Sequence, residues 1–101
     1  MDEEINRIAD HYGFTSQANM LIEESAEFTQ AICKLRRGQN SYDNIREELA
    51  DVLLVALQLR HIIGADSVDN IIKQKIERQL ERIRKEQEIE PNGSNRCRTQ
   101  N

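Results

Sequence analysis

The residues with the most evident chemistry are four carboxylates in two short runs. Glu23-Glu24-Ser25-Ala26-Glu27 and, about twenty residues further on, Glu48-Leu49-Ala50-Asp51 each carry acids three positions apart. In a helix of about 3.6 residues per turn, positions i and i+3 share a face, so Glu24 with Glu27, and Glu48 with Asp51, each form a two-pronged oxygen ligand. Two such prongs facing each other make a site for a hard cation. Mg²⁺ suits it, with Mn²⁺ as a substitute, because both take carboxylate oxygens and water, and Mg²⁺ is commonly held by a few carboxylates together with substrate phosphates.

The setting of these acids separates them from ordinary helix decoration. Met20, Leu21, Phe28, Ala31, Ile32 and Leu35 recur at helical intervals, and a rotation of about 100° per residue puts Glu24 near the centre of that stripe, Glu27 on its edge and Glu23 well away. Glu48 and Asp51 run directly into Val52-Leu53-Leu54-Val55-Ala56-Leu57, apolar on almost every side and so expected to be a central helix. An ionised carboxylate withdrawn from water costs several kcal/mol without a partner. No lysine or arginine lies among these acids on those faces, and a metal ion is the expected counter-charge.

The elements that must position the acids can be read from caps and periodicity. Residues 2 to 11 are expected to form a short helix with Ile5 and Ile8 inward, ending around Gly13; Tyr12 and Phe14 follow, as anchors of the helix junction or, less commonly, as a surface on which a base could stack. Thr15 or Ser16 caps a helix running to Arg37 and closed by Gly38, and Ser41 or Asp43 caps the next, running to Ile63 before Gly64. If these two pair as an antiparallel hairpin, Glu27 and Glu48 lie about 14 Å and about 10 Å from the turn, less than one helical turn out of step. Gln17, seven residues before Glu24 and on the same face, is a candidate contact to a ligand's polar edge. Asp66 or Ser67 begins a fourth helix with Val68, Ile71, Ile72, Ile76, Leu80 and Ile83 on one side and mixed charges on the other, stopped by Pro91. One or two of its basic residues are candidates to hold phosphates.

Composition sets the outer limits. The chain has 101 residues, 32% of them charged and 4% aromatic, with no Trp and one Pro, which favours an all-α fold over a sheet. The expected architecture is an antiparallel bundle of about four helices over residues 1–90, completed by oligomerisation because one small core is marginal, with 91–101 as a disordered tail. A net charge of −4 disfavours binding to a nucleic-acid polymer but not to a single metal-chelated nucleotide. The acidic start Met1-Asp2-Glu3-Glu4 and the lack of a long apolar run predict a cytoplasmic protein without membrane association. Cys33 and Cys97 are too far apart in pattern to suggest a disulfide framework or thiolate site, and His11 and His61 each lack a second ligand at metal spacing.

The run from Gln17 to Phe28, followed by Glu47-Glu48-Leu49-Ala50-Asp51-Val52, resembles the MazG-like nucleotide pyrophosphohydrolases of the all-α nucleoside triphosphate pyrophosphatase superfamily, over about residues 15 to 85. Both halves of that group's signature, E-E-x-x-E and then E-x-x-D, are present as Glu23-Glu24-x-x-Glu27 and Glu48-x-x-Asp51. The resemblance implies a helical homodimer or homotetramer that hydrolyses a nucleoside triphosphate to monophosphate and pyrophosphate with Mg²⁺. Glu24, Glu27, Glu48 and Asp51 would be its metal-binding and catalytic residues. It also implies basic phosphate contacts on the helix after E-x-x-D, where Lys75 and Arg78 stand; Lys73 occupies a position that some members give to Asn. Two alternatives stay open: a phosphoribosyl-ATP pyrophosphohydrolase, and a non-catalytic metal-binding helical oligomerisation module.

Overall fold

The computed structural model describes residues 1–89 and shows an all-helical chain of three helices, with no strand among the described residues. These are α1 (Asp2–Arg36), α2 (Tyr42–Ile63) and α3 (Ala65–Ile89). The expected first and second helices run on as the single element α1, and the boundary between them survives as a kink. Gly13 there has φ 85° and ψ 175°, a conformation essentially reserved for glycine. The expected tail over 91–101 lies outside the described residues.

Local chemistry accounts for the helix ends. After α1, Gly38 adopts φ 75°, its N–H donates to the Leu35 carbonyl at 2.9 Å and the Gln39 N–H to the Lys34 carbonyl at 2.8 Å, a Schellman closure. Ser41 is the N-cap of α2, its hydroxyl accepting from the Asn44 N–H at 3.3 Å. Between them, Asn40 Nδ2 donates to the Ala31 carbonyl at 3.1 Å and to Asn44 Oδ1 at 2.8 Å, tying the turn to both helices. Gly64, at φ 116°, ends α2, and its N–H donates to the Arg60 carbonyl at 3.1 Å.

The chain divides after Ala65 into two units. In the first, α1 and α2 form an antiparallel hairpin: Asp10 meets His61 at 2.9 Å, Gln17 meets Gln58, and Glu24 and Glu27 meet Glu48, so positions fall along α2 as they rise along α1. Its seam follows alternating three- and four-residue steps. Gln17, Leu21, Glu24, Phe28, Ala31 and Leu35 on α1 are buried or half-buried, as are Ile45, Glu48, Val52, Val55, Leu59 and Ile62 on α2. That spacing is the signature of two helices packed along a shared stripe.

The core is thin. Ile5, Ala9, Ala31 and Val55 are its buried apolar residues, and Leu49, Leu53 and Leu54 stay exposed because α1 covers only one side of α2. Gln17 and Gln58 are buried between the helices, and Gln17 Nε2 donates to Gln58 Oε1. Replacing Gln58 by Leu should cost about 1–3 kcal/mol in urea unfolding, because it strands the Gln17 amide, while Leu at both positions should recover most of that loss. Equal effects of the single and double substitutions would show that the pair contributes nothing.

In the second unit α3 is amphipathic, with Ile71, Ile72, Ile76, Leu80 and Ile83 exposed along its length. Arg84 Nε donates to Glu81 Oε1 at 3.0 Å, and its guanidinium also reaches Glu88. Among the described residues, no helix is long and apolar enough to cross a membrane.

Candidate functional site

The carboxylates meet in the middle of the hairpin. Glu24 occupies a seam position of α1 and Glu48 a seam position of α2, where a packed hydrophobic side chain would otherwise stand. One ligand oxygen from each of Glu24, Glu27 and Glu48 falls within 4.8 Å of the others. Glu24 and Glu48 are half-buried and Glu27 is exposed, so the cluster opens to solvent on the Glu27 side.

This arrangement is electrostatically uncompensated by protein groups. Glu24 Oε1 and Glu48 Oε1 are both buried and neither has a hydrogen-bond partner, and no ion pair among the described residues involves Glu24, Glu27 or Glu48. Burial raises the pKa of the Glu24 carboxyl, and the neighbouring charges of Glu27, Asp51, Glu48 and Glu23 raise it further. Oxygen-only donors, three of them anionic and two with orphaned buried atoms, fit a hard divalent cation well.

The other expected residues fall in different places. Asp51 is exposed and stands outside the three-carboxylate set, although its charge acts on Glu24; the same holds for Glu23. Gln17 is buried, with its amide engaged by Gln58. Lys75 and Arg78 are exposed on α3, in the second unit.

Sequence reasoning passed over a cleft of about 420 Å³ that continues from the carboxylates toward the turn. It is lined by Glu27, Gln30 and Lys34 of α1 and by Asn40, Asn44 and Glu48 around the start of α2. The α1 part was legible in principle, since Glu27, Gln30 and Lys34 follow one helix face. The α2 part depends on how the hairpin closes.

A family model of the MazG nucleotide pyrophosphohydrolase domain matches residues 13–86. The chain belongs to the MazG family. Its match takes in both acidic motifs, the whole hairpin turn and most of α3. No curated protein and no solved structure gives a significant match. MazG membership suggests nucleotide pyrophosphohydrolase activity, which belongs to a hydrolase family typically dependent on a divalent metal, and the carboxylate cluster in this MazG domain is of the kind such a metal requires.

Proposed function

We propose that the chain is a Mg²⁺-dependent nucleoside triphosphate pyrophosphohydrolase that cleaves (d)NTP to (d)NMP and pyrophosphate. The observation that carries this reading is the pair of buried, unpartnered oxygens of Glu24 and Glu48 at the centre of a three-carboxylate cluster in a MazG domain. Glu24, Glu27 and Glu48 would hold the cation, with Asp51 at the rim. When bound, Mg²⁺, or Mn²⁺ in its place, neutralises charge on the phosphate oxygens as the transition state forms.

The chain's own residues have separable tasks. Water attacks the α-phosphorus, the bond to the oxygen bridging to the β-phosphorus breaks, and pyrophosphate leaves. One of the cluster glutamates accepts the water's proton. Lys75 and Arg78 supply cationic contacts to the phosphates. Gln17, held by Gln58, fixes the register of the two acid-bearing helices and so acts on the substrate indirectly.

The apolar surface that one hairpin leaves open supports assembly as a homodimer or homotetramer. Leu49, Leu53 and Leu54 line the side of α2 that α1 does not cover, and a second copy would complete the bundle there. The expected partners are thus the nucleotide and the chain itself.

The test is pyrophosphate release from a panel of canonical and modified nucleoside triphosphates and phosphoribosyl-ATP, with Mg²⁺, with Mn²⁺ and with EDTA. Metal-dependent release from one or more nucleoside triphosphates is expected. Release from phosphoribosyl-ATP alone would reassign the substrate. Silence across the panel, with Mg²⁺ still raising the melting temperature, would leave a non-catalytic metal-binding module.

A further inference from the structure

The cleft beside the carboxylates has a polarity of its own. At one end stand Glu27 and Glu48, shared with the cation cluster; at the other stands Lys34, with Gln30 and Asn44 between them. Lys34 makes no ion pair among the described residues, although two carboxylates, Glu27 and Glu48, line the same cleft. Asn44 Oδ1 is engaged by Asn40, which leaves its amide N–H groups as the part of that side chain that can serve a ligand. Ammonium and amide donors next to a cation site form a surface for an anion that also touches the metal.

Lys34 lies seven residues beyond Glu27, two turns or about 10 Å along the axis. A helical side chain leans toward the N-terminus of its own helix, and the four-carbon stem of lysine is long and flexible, so its ammonium can reach a ligand in the cleft on the Glu27 side. A volume of about 420 Å³ lies within the range of small-ligand sites.

We infer that this cleft is the subsite for the terminal phosphates of the substrate, the part that departs as pyrophosphate, with Lys34 as its cationic contact and Gln30 and Asn44 as hydrogen-bond donors. The inference rests on the proposed pyrophosphohydrolase reading and gives it a direction. The β- and γ-phosphates point toward the hairpin turn, and the nucleoside lies on the opposite side of the carboxylates. Lys34 thus holds the leaving group from within the hairpin, independently of Lys75 and Arg78 on α3.

The experiment compares the wild-type chain with Lys34→Ala, Lys34→Arg and Gln30→Ala by steady-state kinetics and product inhibition, and by calorimetry of pyrophosphate in the presence of Mg²⁺. Lys34 is exposed on a helix surface and alanine favours helix, so the variants should keep the wild-type melting temperature. Loss of a charge-assisted contact should raise KM and weaken both inhibition and binding by pyrophosphate ~10-fold or more in Lys34→Ala. Inhibition by the nucleoside monophosphate should be unchanged, Lys34→Arg should retain most of the wild-type behaviour, and Gln30→Ala should show a smaller loss in the same direction.

Unchanged pyrophosphate binding in Lys34→Ala, or a loss confined to monophosphate inhibition, would overturn the subsite. So would a loss of pyrophosphate binding in Lys75→Ala with none in Lys34→Ala. The calorimetry also separates the two readings. A chain that binds pyrophosphate through Lys34 but turns over no triphosphate keeps the subsite and loses the hydrolase; turnover with pyrophosphate binding indifferent to Lys34 does the reverse.

Discussion

Glu24→Gln should lose most of its pyrophosphate release while keeping its fold. The substitution preserves volume and removes one charge from a half-buried seam position whose Oε1 has no protein partner. A group that only orients a metal ligand is commonly worth 10–100-fold, and removal of a ligand itself should cost at least about 10²-fold in kcat/KM. The exposed neighbour Glu23 provides the internal comparison: Glu23→Gln should change the rate only a few-fold, since it stands outside the cluster and acts on Glu24 only through its charge. In EDTA, Glu24→Gln should melt no lower than the wild type, because it relieves repulsion among the acids. Retention of most of the activity by Glu24→Gln would sink the site assignment, and a collapse of melting temperature would move the residue's role from chemistry to folding.

The second large effect couples pH to the metal. Because burial and four neighbouring acids raise the Glu24 pKa in the folded chain, the fold binds a proton there more readily than the unfolded chain does. Stability in EDTA should therefore fall as pH rises through the raised pKa of Glu24, and the difference should vanish below the ordinary carboxylate range, where both states are protonated. A divalent cation requires the ionised cluster, so its effect has the opposite slope. Saturating Mg²⁺, at ~100 times its dissociation constant, should raise the melting temperature by on the order of 10 °C near about pH 8. Near about pH 5 the rise should be clearly smaller, because protons and metal compete for the same oxygens. Thermal melts with Mg²⁺ and with EDTA at both values provide the check; an equal Mg²⁺ shift at the two would show that the cation binds elsewhere.

These two effects arise from positions that a linear reading finds readily. The three- and four-residue spacing of Leu21, Phe28, Ala31 and Leu35 requires Glu24 to share their face whatever the helix packs against, and the apolar run after Glu48 does the same for α2. The helix ends are equally local. Ser41 caps α2, Gly38 and Gly64 close α1 and α2, and Gly13 breaks the helical dihedrals, because caps and glycine conformations depend on the nearest few residues. At Gly13, however, composition indicated only a break. The structure bends one element there instead of ending it, so the two expected helices become the single α1, with its N-terminal arm reaching His61 through Asp10.

The pairings across the hairpin are a different matter. Gln17 is separated from Gln58 by 41 positions, and no local pattern singles out either glutamine as the other's partner. Asp51 repeats the i+3 spacing of Glu27, yet it stands outside the three-oxygen cluster that Glu27 joins with Glu24 and Glu48. The cleft of Glu27, Gln30 and Lys34 with Asn40, Asn44 and Glu48 exists only once the turn has folded back. Sequence by itself thus determined the helix ends at Gly38, Ser41 and Gly64 and the inward placement of Glu24 and Glu48, because each of those depends on the rotation and caps of a single helix. Which oxygens converge, which amides pair and where a cleft opens were decided by tertiary structure, because they depend on the axial register and rotational phase of one helix against another, which only packing along their whole length establishes.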